Sequence, residues 1–161
     1  MKKFLSLALA FAMSVTLLAG CAGKPAQTAQ VDLEAYYQTI FTDPENSPAM
    51  MALDAEMLEG LYPGLTALEL KQTVAYMPMI TAVACEIVMV ECAKAEDVDT
   101  VKELFQARID SQVGNHFNYP AVIEAWEKEA TVVTNGNYVA LFVINGMTEE
   151  VVANFNAAFA G

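Results

Sequence analysis

Residues 79–93 read MITAVACEIVMVECA, and only Thr81, Glu86 and Glu91 interrupt their apolar character. A run this short falls below the roughly 20 apolar residues that a membrane helix needs. It follows a proline, Pro78, and is rich in β-branched side chains, so it predicts one long central strand. Cys85 and Cys92 stand seven residues apart within it. Seven strand steps separate them by roughly 23 Å and turn them to opposite faces, well past the ~7 Å Cα separation a disulfide allows. Both read as small, buried apolar residues, because Glu86 and Glu91 nearby would raise a thiol pKa rather than activate it.

The two glutamates are five residues apart and therefore point to opposite faces of such a strand. A carboxylate buried in a core costs several kcal/mol unless it is paired or protonated. Arg108 is the only arginine, and it offers Glu86 a cationic partner in a buried ion pair at a strand–helix junction. The alternative reading leaves Glu86 on a solvated patch of an open sheet face.

Downstream, Val98, Val101, Leu104, Phe105, Ile109 and Val113 set the apolar stripe of an amphipathic helix over 97–112. Residues 114–120, GNHFNYP, read as a loop, and 121–129 as a charged helix containing Trp126. Two apolar runs flank Asn135-Gly136-Asn137, a strong hairpin signal, and 148–159 closes as a helix with Val151, Val152, Phe155 and Phe159 inward. Upstream, Thr66-Ala-Leu-Glu69 matches a capping box and predicts a helix to about Met77, ended by Pro78. Asp54 caps a short helix that GLYPGL terminates, residues 42–48 form a loop, and 32–41 form a further helix. The expected fold class is α+β: a small three-stranded, mostly antiparallel sheet, one long strand plus the C-terminal hairpin, covered by helices in a single domain over 32–161.

The N-terminus has its own pattern. Lys2 and Lys3 precede an apolar stretch from Phe4 to Leu18, which has signal-peptide length. Leu18-Ala19-Gly20-Cys21 resembles the lipobox of bacterial lipoprotein precursors. That resemblance implies cleavage after Gly20, with Leu18, Ala19 and Gly20 as the peptidase recognition residues, and lipidation of the Cys21 sulfur by a diacylglycerol. Two acyl chains anchor stably where one binds marginally. Residues 1–20 are then a removed signal peptide. Residues 21–31, AGKPAQTAQV after the cysteine, form a small, polar tether spanning at most about 35 Å.

"LYPG" before the central run, "AYMPMITAVACEIVMVECA", "VKELFQARIDSQ", "NYP" and "VVTNGNYVALFVI" follow one another behind this lipobox. Together they resemble a family of small Gram-positive lipoproteins known only as domain of unknown function 4358. The resemblance implies an extracytoplasmic, lipid-anchored domain at the cell membrane and supplies no catalytic residues.

Without residues 1–20, six basic residues face 20 acidic ones, a net charge of −14. A chain this acidic is repelled by phosphates and anionic headgroups, which argues against nucleic acid and leaves the diacylglycerol on Cys21 as the membrane device. No cofactor or metal is expected. His116 is the only histidine, and past residue 20 only Ser47 and Ser111 could serve a Ser–His–acid arrangement, without a nucleophile elbow. One His and two separated Cys show no zinc spacing. Asp97-Val98-Asp99 opens like a calcium loop, but Lys102 stands where its glycine belongs and Arg108 where its last carboxylate belongs. The seven methionines past residue 20 read as core filling rather than copper ligands.

Glu124, Glu127 and Glu129 could form a glycosidase-like couple, against an exposed, salt-bridged face with Lys128. The leading expectation is thus a non-enzymatic binding or accessory module at the outer face of the cytoplasmic membrane. One alternative is a cell-wall or peptide hydrolase using carboxylate acid/base chemistry. Another is a sensor or inhibitor meeting a protein partner through an exposed patch around Tyr36, Tyr37 and Tyr62.

Overall fold

The computed structural model describes residues 29–43, 45 and 47–160. The apolar run supplies strand β3, Cys85–Cys92, and every residue of it is buried. The same holds for β5, Tyr138–Ile144, because layers of helix cover the sheet on both sides. The other strands are β1, Met50–Ala52, β2, Leu70–Pro78, and β4, Thr131–Asn135. They form one five-stranded sheet in the order β1-β2-β3-β5-β4, with every neighbouring pair antiparallel. The fold is α+β as expected, but the sheet has five strands where three were predicted.

Two strands account for the difference. The helix expected from Thr66 to Met77 is instead a single 3-10 turn, Leu65–Ala67, followed by β2. The Thr66 hydroxyl donates to Glu59 rather than capping a helix. Gly64, at φ 97°, makes the turn in a conformation that suits a glycine. From Gln72 to Tyr76 the chain then pairs residue for residue with β3, Val74 opposite Met89, after an irregularity between Leu70 and Gln72. Pairing with a buried strand overrides the local helix signal. β1 is a three-residue edge strand against the end of β2, Met51 opposite Met77.

The central strand is also shorter than predicted, since residues 79–84 form the β2–β3 loop. The N-terminal helix contracts to α1, Leu33–Tyr37, capped by the Asp32 side chain. Helix α2 is Ala55–Leu61, capped by Asp54. Helices α3, Val98–Val113, α4, Pro120–Lys128, and α5, Thr148–Ala158, follow the expected pattern. The hairpin also forms as predicted, with Asn135 opposite Tyr138 and Gly136 at φ 59°.

The two faces of β3 feed two cores. Val88, Val90 and Cys92 pack with Val101, Phe105, Val122 and Trp126 beneath α2, α3 and α4. Cys85, Ile87 and Met89 pack with Leu33, Phe142 and Phe155 beneath α1 and α5. Each fully buried side chain of this size contributes roughly 1.5–3 kcal/mol. Cys85 and Cys92 are free and buried in different cores. The start of β3 lies beside the end of β5, Cys85 opposite Ile144, and the end of β3 beside Tyr138. The sheet thus has two distinct ends, and each holds one of the glutamates.

Candidate functional site

Glu86 lies on the α3 side of the sheet and is 2 % exposed, so no solvated open face receives it. The structure brings it together with Arg108, three turns along α3. Arg108 Nε donates to Glu86 Oε1 at 2.9 Å and Nη2 donates to Oε2 at 2.7 Å. This two-pronged geometry is the strongest form of the pair. The Tyr62 hydroxyl, just past the end of α2, is a third donor to the same carboxylate. The Arg108 guanidinium carbon lies 6.0 Å from the Tyr62 ring and 5.6 Å from the Trp126 ring, within cation–π range.

Burial acts to lower the Arg108 pKa, but the hydrogen bonds and charge of Glu86 outweigh it and hold the guanidinium above its ordinary value. Burial, followed by the Glu86 charge, pushes the Tyr62 hydroxyl well above its own. The Cys85 thiol is pushed up to about 12, first by burial and then by Glu86. Charge, proton and hydrogen-bond partner are therefore fixed at each of these groups across the physiological range. The cluster has the character of a rigid recognition element rather than an acid–base couple.

A cleft of about 70 Å³ opens beside this pair, bordered by Met77, Thr81, Arg108, Gln112, Asn118 and Trp126 among others. It lies between the β2–β3 loop and the α3–α4 loop. Those two loops, with the β5–α5 turn at the same sheet end, carry all five large apolar side chains that stand exposed among the described residues. These are Met79, Ile80, Phe117, Tyr119 and Met147, with Phe117 fully exposed. Sequence reasoning missed this rim, having assigned Met79 and Ile80 to the central strand.

Glu91 serves a different purpose at the opposite end. Lys71 Nζ donates to its Oε1 at 3.0 Å and Gln72 Nε2 to its Oε2 at 2.8 Å. Burial acts to raise its pKa, yet the Gln72 and Lys71 interactions outweigh it and hold the carboxyl below its ordinary value. Gln72 also accepts from Leu33 N at 3.0 Å and donates to Val31 O at 2.9 Å. Glu91 thereby clamps the incoming N-terminal segment to the sheet.

The remaining sequence candidates stay apart. Ser111 and His116 are exposed, and Ser47 donates to the Asp43 carbonyl. Lys128 pairs with Glu124 at 2.6 Å on the solvated face of α4, and Glu129 accepts from Gly146 N at 2.7 Å. The patch expected around Tyr36, Tyr37 and Tyr62 is not an exposed one. Tyr62 is wholly buried, Tyr37 stacks on Tyr76 at 3.8 Å, and the Tyr36 hydroxyl donates to Val151 O at 2.8 Å. Leu18, Ala19, Gly20 and Cys21 lie outside the described residues. Among the described residues no helix is long and apolar enough to cross a membrane, and no group of three or more His, Cys, Asp or Glu is arranged to hold a metal ion.

A known family, described as Domain of unknown function (DUF4358), matches this sequence over residues 43–144. No curated protein and no solved structure matches it.

Proposed function

The chain belongs to the DUF4358 family, and on that footing we propose that it is a lipid-anchored, extracytoplasmic binding module that engages a polypeptide partner without catalysis. The lipobox at Leu18–Cys21 supports the anchor. One observation carries the binding role: the exposed large apolar side chains gather on adjoining loops at one sheet end around a cleft. Scattered exposed apolar residues are ordinary, but aromatic residues and methionines grouped this way have the composition of an interface centre. The partner is another protein rather than a second copy, since two acidic chains of net −14 repel each other. The chain enters the sheet at the Glu91 end, and β3, at about 3.3 Å per residue, carries the apolar rim roughly 25 Å away from that entry. A domain standing on its tether therefore presents the rim outward.

The test is a photo-crosslinking residue at Phe117 in the membrane-anchored full chain, with the same residue at Asp99 on the far side of α3 as control. The expected result is a discrete protein adduct from position 117 and none from 99. Equal labelling at both positions, or lipid adducts alone at 117, would refute the reading.

A further inference from the structure

Arg108 is only 9 % exposed, and its bidentate pair uses Nε and Nη2. No fully buried side-chain nitrogen or oxygen among the described residues lacks a partner. Nη1, which has no acceptor in those bonds, therefore faces open space, and the open space that Arg108 borders is the cleft.

A neighbouring amide network fixes what else faces that space. Asn118 Nδ2 donates to the Gln112 backbone carbonyl at 3.3 Å and to Gln112 Oε1 at 3.0 Å. A backbone carbonyl only accepts, so the Asn118 atom must be its nitrogen, and the Gln112 atom it also reaches must be oxygen. Asn115 Nδ2 occupies Asn118 Oδ1 at 3.3 Å. The side-chain acceptors around the cleft (both Glu86 oxygens, Gln112 Oε1 and Asn118 Oδ1) are thus satisfied within the protein. What remains uncommitted is Arg108 Nη1, Gln112 Nε2 and the Thr81 hydroxyl, a set dominated by donors. A ligand here must bring an acceptor.

Charge decides which acceptor. Glu86 already neutralises Arg108, and the chain around them is strongly acidic. A carboxylate would arrive as an uncompensated anion in an unfavourable field, whereas a neutral carbonyl gains the same hydrogen bonds without that cost. The cleft, at about 70 Å³, would hold roughly five waters at 10–15 Å³ each, enough for a carbonyl with a short branched side chain against Met77, Val122 and Trp126.

We propose that the cleft binds an uncharged amide carbonyl with an adjoining apolar side chain, supplied by an extended segment of the partner polypeptide, with Arg108 Nη1 and Gln112 Nε2 as donors. This rests on the binding reading above and names its chemistry.

Single residues make the test direct, because one arginine and one tryptophan give one guanidinium Nε–H and one indole resonance. The full chain in detergent is titrated with N-acetyl-leucinamide and, separately, with 4-methylpentanoate, a carboxylate of similar apolar size. The amide is expected to shift both resonances saturably and to bind at least roughly tenfold more tightly than the carboxylate. Gln112→Glu keeps the oxygen that Asn118 needs and leaves the ion pair untouched, and it is expected to weaken the amide by a similar factor. No saturable shift, equal binding of the carboxylate, or an unchanged Gln112→Glu protein would overturn the proposal. A specific adduct at position 117 without an amide response defeats the carbonyl chemistry alone. An amide response without that adduct defeats the polypeptide source and leaves a site for small amides.

Discussion

Replacing Arg108 with Met removes the only charge that compensates Glu86 at 2 % exposure. The aliphatic stem is largely kept between Tyr62 and Trp126, so the loss is electrostatic rather than steric. Orphaning one member of a buried pair costs about 3–5 kcal/mol, and losing the two ring contacts adds roughly 0.5–1 kcal/mol each. A total of about 4–6 kcal/mol follows for Arg108→Met, and about 3–5 kcal/mol for Glu86→Met. The double variant removes both charges and is expected within about 1–2 kcal/mol of the parent, because apolar replacement of a whole buried pair is close to neutral. Urea unfolding read by Trp126 fluorescence measures all four proteins, and the sole tryptophan lies 5.6 Å from the guanidinium. In a domain of this size 1 kcal/mol moves the melting temperature by roughly 3–5 °C, so each single variant should lose on the order of 10–20 °C. Additive losses in the double variant, or an Arg108→Met cost below about 1 kcal/mol, would refute the buried pair as a coupled unit.

Cys85 and Cys92 sit in separate cores, and burial raises both thiols. The native protein at pH 8 is expected to resist an aromatic disulfide reagent and to release two thiols only on unfolding, whereas rapid native labelling of Cys85 would contradict its burial. Glu91 predicts an acid-sensitive clamp. Its folded pKa lies below the unfolded value, so its stabilisation is present above the ordinary carboxylate pKa of about 4.3 and is lost as pH falls through the folded pKa. Glu91→Gln should flatten the urea midpoint against pH below about pH 5, and a slope equal to the parent's would count against the clamp. Gln72→Ala should speed hydrogen exchange at the Leu33 amide, which donates to Gln72 Oε1 at 3.0 Å, with little change at Val88 in the sheet centre.

The sequence made the centre of the fold legible because β3 and β5 are buried on both faces and so read as unbroken apolar runs. It misled at β2, where the spacing of Thr66 and Glu69 imitates a capping box while residues 70–78 take their structure from a partner strand. A pairing energy that lies between strands leaves little trace in either strand alone. β1 left no signal because three edge residues carry no periodicity. The Glu86–Arg108 contact was legible because one carboxylate interrupts an apolar run and the chain has one arginine to meet it. Tyr62 and Trp126, which complete that cluster, carry no positional pattern in the sequence. Phe117 and Tyr119 sat in a stretch assigned as loop, and only the fold brings them beside Met79 and Ile80.

Where the domain works rests on the chemistry of a single sulfur. Intact-protein and peptide mass spectrometry of the membrane fraction should find a mature chain that begins at Cys21 and carries a diacylglycerol. A membrane-fraction protein with an uncleaved leader, or with an unmodified Cys21, would contradict the anchored binding module.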